Sequence, residues 1–326
     1  MSFAHYIKEI GRVDGESGLS EEDARRLFGA ILDGGVPELE LGAILLALHM
    51  KPESHSELLG FHAALDERMF RLRAPEGTIV PVVFPSYGGA RDQPNLLPLL
   101  VLLLRRLSVP VLVHGALDGS GRIASAYIFR ELGIMPCGNL TQAQEAMDND
   151  GIAFVPTAVL APGLAEVLRL RGRLGVRSSA HSMARLIEPF ESASLRVVSA
   201  SHSPYLEELR EFLLATGARA LLLRGTEGEA FADPVRRPQL SFFNDGQTRV
   251  LFEAQLRVPK DIPALSAGID AVSTAAWIRR ALAGEVPIPI PLVNQLACCL
   301  FGAGYTVDIA QAKAIVAIET GSLAAA

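Results

Sequence analysis

The run Val111-Leu-Val-His114-Gly115-Ala-Leu-Asp118-Gly119-Ser120-Gly121-Arg122 admits few folds. Its first part is an unbroken apolar stretch ending in a histidine, the pattern of a strand buried on both faces. A glycine-rich loop follows, and then a helical pattern. Bare backbone N–H groups near the positive end of a helix dipole form a ready anion site. The same texture recurs from residue 78 onward. Residues 78–84, 109–113, 152–155, 195–200 and 219–223 read as buried strands, with helices between them at 96–107, 122–132, 141–148 and 205–216. This alternation predicts an α/β domain with a mostly parallel central sheet flanked by helices. Residues 239–253 read as an antiparallel pair around Asn244-Asp245-Gly246, a hairpin turn signal. Helices are expected at 267–283, 292–301 and 309–319, and the Ala-rich tail from 322 is expected to fray.

The first 72 residues contain no strand pattern. Ser20-Glu-Glu-Asp23 resembles a capping box, and Leu27, Phe28, Ile31 and Leu32 follow at helical spacing. Asp33-Gly34-Gly35-Val-Pro37 stops that helix, a second spans about 39–50, and a third begins near Ser54 and carries Leu58, Leu59, Phe61, Leu65 and Met69. Two domains are expected: a small helical one over 1–72 and an α/β one over 73–326, with the helices of 161–187 packing near the first.

A chain of 326 residues, 49% hydrophobic and 20% charged, can bury two cores and is not disordered. The net charge of −6 excludes a protein that coats nucleic acid with its whole surface, yet leaves room for one basic patch. Cys137, Cys298 and Cys299 form neither a disulfide framework nor a CxxC pair, which points to a reducing cytosol. The N-terminus lacks the apolar core of a signal peptide, and the apolar run 96–104 contains Pro98 and falls short of the roughly 20 residues a membrane span needs. A cytoplasmic protein with no membrane partner is expected. No histidines fall at metal-ligand spacing, so no metal site is expected.

The densest charge is Arg169-Leu-Arg171-Gly-Arg173-Leu-Gly-Val-Arg177, with Arg185 beyond: five arginines against the single acid Glu166 between residues 161 and 187. On one continuous helix Arg169, Arg173 and Arg177 would share a face. Their planar donor forks suit phosphate oxygens. The bland alternative is a solvated face paired with carboxylates of the same chain, and such pairing would remove the premise of a phosphate grip.

Leu19-Ser-Glu-Glu-Asp-Ala24, Ile31-Leu-Asp-Gly34, Ala47-Leu-His-Met-Lys-Pro-Glu-Ser54, His114-Gly115, Glu131-Leu-Gly133 and Leu174-Gly-Val-Arg-Ser178 stand in the order and spacing of the anthranilate phosphoribosyltransferase-like family, which the chain resembles over nearly its whole length. The resemblance implies the class II phosphoribosyltransferase and nucleoside phosphorylase fold. It also implies a site where phosphoribosyl pyrophosphate lies on a GTGGD loop. Here that loop reads Pro85-Ser86-Tyr87-Gly88-Gly89, and Asn95 is followed by Leu97 and Pro98 in place of hydroxyls. A proline removes an N–H donor and a tyrosine fills space where backbone should approach the ligand. The family's magnesium-holding Asp-Glu aligns with Ala230 and Phe231, its substrate histidine with Ala161, its substrate arginine with Arg171, and the asparagine after His-Gly with Ala116. Glu227, Glu229 and Asp233 stand close enough in sequence to substitute for the lost acids. Arg122 keeps a cation where the family has lysine.

Pro85-Ser-Tyr-Gly-Gly-Ala-Arg91 and Val109-Pro-Val-Leu-Val-His-Gly115 further resemble the YbiB-type paralogues of that family. This resemblance implies a homodimer that binds nucleic acid through a basic cleft and needs no cofactor. Arg169, Arg171, Arg173, Arg177 and Arg185 would contact phosphates, with Arg91 and Arg122 on the inner wall, in a sequence-independent and salt-sensitive manner. No residue is assigned a catalytic role. The alternative is a magnesium-dependent phosphoribosyltransferase of altered aromatic-substrate specificity. A third reading is a regulatory protein holding a small phosphorylated ligand in a relic pocket of Gly88, Gly89, Asn95, His114 and Gly115. His114 and Gly88-Gly89 equally admit structural roles, as a hydrogen-bonded strand end and a turn.

Overall fold

The computed structural model describes residues 3–11, 18–119, 121–255, 265–266 and 268–321. Ser120, the expected helix start at 267 and the tail from 322 lie outside the described residues. The chain divides into two compact units, Met1–Arg71 with Thr157–Pro189, and Leu72–Pro156 with Phe190–Ala326. The helices of 161–187 thus fall inside the first unit.

In chain order the elements are α1 (Ala4–Ile10), α2 (Glu21–Leu32), α3 (Glu38–His49), α4 (His55–Asp66), β1 (Val82–Ser86), α5 (Leu97–Arg106), β2 (Val111–Gly115), α6 (Ser125–Glu131), α7 (Leu140–Asp150) and β3 (Ile152–Pro156). Then come α8 (Thr157–Leu160), α9 (Pro162–Arg169), α10 (Arg171–Leu174), α11 (Ser179–Ala184), β4 (Leu195–Ala200), α12 (Ser203–Ala215) and β5 (Ala220–Arg224). The chain closes with β6 (Leu240–Asn244), β7 (Gln247–Phe252), α13 (Ala271–Leu282), α14 (Ile290–Gly302) and α15 (Ile309–Thr320).

The helical unit rests on the packing of α2 against α4, where Phe28 and Phe61 stack with ring centroids 4.9 Å apart. Ser20 caps α2, accepting from the Asp23 N–H. Ser54 and Glu57 form a reciprocal capping box on α4. Glu57 is fully buried, and its carboxylate also accepts from the Leu19 N–H at 3.0 Å and pairs with Lys51 at 2.5 Å. A buried charge so fully partnered fixes the entry to both helices. The third expected helix ends at Asp66, before Met69.

In the α/β unit, seven strands of the described residues form one sheet in the order β3-β2-β1-β4-β5-β6-β7. β1 to β5 run parallel, while β6 and β7 form the antiparallel hairpin. The winding reverses between β1 and β4, which places a crevice at the carboxyl ends of those strands. β1 begins at Val82 rather than 78, because its ladder opens where the Val82 N–H reaches the Pro110 carbonyl. α6 begins at Ser125 rather than 122. Residues Ala90 and Ile123 instead exchange backbone hydrogen bonds of 2.8 and 2.9 Å, joining the loop after β1 to the loop after β2. The core lies between the sheet and α5, α6, α13 and α14, and takes in Cys298 and Cys299. Among the described residues no helix is long and apolar enough to cross a membrane.

Candidate functional site

The loop leaving β1 folds into an anion nest. Gly89 adopts φ +63°, a conformation that favours glycine, and the N–H groups of Gly88 and Gly89 converge on one point. That point is occupied by the chain itself. Glu229 Oε1 accepts from both N–H groups at 2.7 Å, and Glu229 Oε2 accepts from the Ser86 hydroxyl at 2.6 Å. Ser86 in turn meets Ser125 at 2.5 Å. Glu227 repeats the arrangement further along, accepting from the Arg91 N–H at 2.5 Å and the Asp92 N–H at 2.9 Å. Two carboxylates of the loop after β5 therefore satisfy the backbone donors of the loop after β1.

Glu229 is completely buried. Burial raises its pKa, and the hydrogen bonds from Ser86, Gly89 and Gly88 oppose that rise by favouring the charged form. The resemblance offers Glu227, Glu229 and Asp233 only as substitutes for metal ligands. The sequence signal of Glu227 and Glu229 was visible, two acids flanking Gly228, but their partners lie some 140 residues upstream. Ala230 and Phe231 beside them are buried. Among the described residues no group of three or more His, Cys, Asp or Glu side chains is placed to hold a metal ion.

His114 lies near the end of β2 and is fully buried, paired in register with Pro85 on one side and Val155 on the other. Its Nδ1 lies 2.8 Å from the Tyr87 hydroxyl, and the two rings meet edge-on. Burial drives its pKa down to about 3, so it is a neutral imidazole. Gly115 is required by close approach: a Cβ there would lie 1.9 Å from the Ser86 carbonyl oxygen. Asn95 is buried, and its side-chain oxygen accepts from the Leu97 N–H at the start of α5. Gly88, Gly89, Asn95, His114 and Gly115 thus gather at the carboxyl ends of β1 and β2. Arg122 joins them by donating to the carbonyls of Gly89 and Glu227 at 3.5 and 3.3 Å, a strut between loops. Arg91 is exposed beside Asp92.

The arginine cluster belongs to the helical unit, and it departs from the expected single face. Arg169 ends α9, Arg171 and Arg173 lie on the short α10, and Gly175 turns left-handed at φ +72° before Arg177. The chain breaks at Leu170 and Gly175, so no helix presents Arg169, Arg173 and Arg177 in line. Arg169 pairs with Glu166, and Arg173 lies 3.5 Å from Glu38. For Arg169 and Arg173 the structure therefore meets the alternative of pairing with carboxylates of the same chain, although both pairs are exposed, the class that contributes about 0–1 kcal/mol and holds an arginine only weakly. Arg177, Arg171 and Arg185 instead converge electrostatically on His181 of α11. Burial first, and then the charges of Arg177, Arg171 and Arg185, lower His181 to about 4. Three half-buried arginines thus act on one neutral imidazole. Ala161 is buried at the N-terminus of α9.

The molecule comprises a helical unit and an α/β unit whose loops gather buried polar groups at the carboxyl ends of parallel strands. Residues 5–69 match the helical bundle domain of the glycosyl transferase family. The uncharacterized protein YbiB of Escherichia coli K12 is 42% identical over 318 residues, covering 97% of this chain and 99% of its own. An anthranilate phosphoribosyltransferase of Rhodospirillum rubrum is 26% identical over 310 residues, 93% of this chain and 88% of its own. The crystal structure of anthranilate phosphoribosyltransferase from Thermus thermophilus superposes with a TM-score of 0.75 over 98% of this chain and 95% of that one, at 23% identity. The chain belongs to the anthranilate phosphoribosyltransferase-like family.

Proposed function

We propose that this chain is a homodimeric, cytoplasmic nucleic-acid-binding protein that uses the family's fold without its transfer reaction. The observation that carries the reading is the internally filled nest: Glu229 sits where a pyrophosphate oxygen would need the Gly88 and Gly89 N–H groups. An incoming anion must displace a buried carboxylate bound by three donors. Nor does the donor set suit magnesium, a hard cation that takes oxygen ligands, since Ala230 and Phe231 offer none from their side chains and Glu229 is spent on Ser86 and the loop. The same occupancy counts against a small phosphorylated ligand in that relic pocket.

In this reading Arg171, Arg177 and Arg185, grouped about His181, would contact phosphates, and Arg169 and Arg173 would exchange their weak surface pairs for the same contacts. Arg91 adds an exposed cation on the α/β unit, and Arg122 contributes only through the loop it braces. Contacts of this kind position a backbone without reading bases. Binding should therefore follow counterion release, with log affinity falling linearly against log salt.

The test is a fluorescence-anisotropy titration of labelled single- and double-stranded DNA across a salt series, with Arg171→Glu plus Arg173→Glu in parallel. The expected result is a steep salt slope that flattens by about two in the double variant, roughly one per lost phosphate contact. No binding at low salt would overturn the reading. One observation favours the alternative, a magnesium-dependent phosphoribosyltransferase: Ser86, Ser125, Asn95 and His114 form a buried polar set at the strand ends. Pyrophosphate release from phosphoribosyl pyrophosphate with an aromatic amine would reveal it.

A further inference from the structure

Beyond the carboxyl ends of β4 and β5 the α/β unit opens a cavity of about 590 Å3, within the range of small-molecule sites. Its walls include Ser201 and Ser203 at the turn into α12, and Arg224 and Gly225 at the end of β5. None of Gly88, Gly89, Asn95, His114 and Gly115 lines it. Crevices past the carboxyl ends of parallel strands are where open α/β sheets take their ligands.

Four arginines line this cavity, Arg210, Arg224, Arg236 and Arg237, against three carboxylates, Glu207, Glu227 and Asp233. All three carboxylates are engaged within the protein. Glu207 pairs with Arg210 at 3.0 Å, and Glu227 caps the Arg91 and Asp92 N–H groups. Asp233 accepts from the N–H groups of Val235 and Arg236 at 2.8 and 3.3 Å. Arg237 is anchored too, donating to the Glu253 carbonyl at 3.0 Å and lying over the Phe252 ring. Arg224 and Arg236 differ: among the described residues neither guanidinium makes a hydrogen bond or an ion pair. Two guanidinium forks without internal partners therefore line one concavity. The planar fork suits phosphate oxygens, and a dianion neutralises both. The hydroxyls of Ser201 and Ser203 and the remaining volume leave room for a sugar.

We propose that this cavity is a second anion site, binding a phosphomonoester of mononucleotide size through Arg224 and Arg236. The proposal stands apart from the nucleic-acid reading, because it uses a different unit and different arginines. The probes are adenosine 5′-monophosphate, adenosine, and dithymidine with or without a 5′-phosphate, titrated calorimetrically into the full chain. Saturable binding of adenosine 5′-monophosphate is expected, with adenosine silent. Arg224→Gln and Arg236→Gln should each weaken it about tenfold or more, the loss of a charge-assisted hydrogen bond. Arg171→Glu plus Arg173→Glu should leave it unchanged. Tighter binding of the free nucleotide than of 5′-phosphorylated dithymidine supports the site as a nucleotide pocket, and the reverse order supports it as a socket for a strand end. Adenosine binding as well as its monophosphate, no saturation by about 1 mM, or full affinity in both glutamine variants would overturn the proposal. Both arginines are exposed and without partners among the described residues, so circular dichroism should find the variants folded.

Discussion

Glu229 shows how one side chain decides the character of the site. Its carboxylate satisfies Ser86, Gly88 and Gly89 at once, and removing it strands three donors in a buried place. Glu229→Ala should cost about 2–4 kcal/mol in urea unfolding, from unsatisfied buried donors. It should also let inorganic phosphate raise the variant's melting temperature, whereas the native chain should not respond in this loop. His181 carries a separate, pH-linked signal. Its folded pKa of about 4 lies below the ordinary 6.5, so the unfolded chain binds the proton first. The stability contributed by the neutral histidine is complete above pH 6.5 and is lost as pH falls toward 4. Glu229, with a raised pKa, works in the opposite sense, because its contribution is lost as pH rises through the folded value. The difference between His181→Gln and the native chain isolates the histidine. Between pH 6.5 and 5 the variant should lose about 1.5 kcal/mol less, read by chemical denaturation at each pH.

Among the elements, α2 and α4 approach so closely that Gly60 has no room for a side chain. A Cβ there would lie 2.3 Å from the Glu21 carbonyl oxygen. Gly60→Ala should therefore destabilise the chain by about 1–3 kcal/mol, the cost of overpacking. Gly172, on α10, has open space around it, and Gly172→Ala should stabilise by about 0.5–1 kcal/mol through helix propensity. Paired thermal melts check both. The capping residues were readable in advance: Ser20-Glu-Glu-Asp23 and Ser54 start helices where their patterns place them. The arginine stripe was not, because periodicity assumes a continuous helix and the left-handed turn at Gly175 ends it. The start of α6 was displaced for a similar reason, since a backbone bridge from Ala90 claims Ile123.

For the molecule as a whole, α3 and its C-cap residue Met50 carry an apolar face that is exposed among the described residues. Leu39, Leu46 and Met50 fall at i, i+7 and i+11 and are 84%, 49% and 76% exposed. That face fits the proposed homodimer. Leu39→Glu plus Leu46→Glu should shift the protein toward monomer in sedimentation velocity and weaken DNA binding, because a monomer offers half the phosphate contacts.

Much of this protein is written in local pattern. The α/β alternation, the parallel strands, the hairpin at Asn244-Asp245-Gly246 and the early helices follow from burial periodicity and turn chemistry, which act over a few residues. That Ala230 and Phe231 carry no side-chain oxygen was equally plain. What local pattern does not contain is who meets whom across the sheet. That Glu229 would fill the Gly88-Gly89 nest, that Tyr87 would turn onto His114, and that Arg224 and Arg236 would share a cavity depend on contacts far apart in the chain. Such contacts follow from strand order and loop packing, so only the folded molecule decides them.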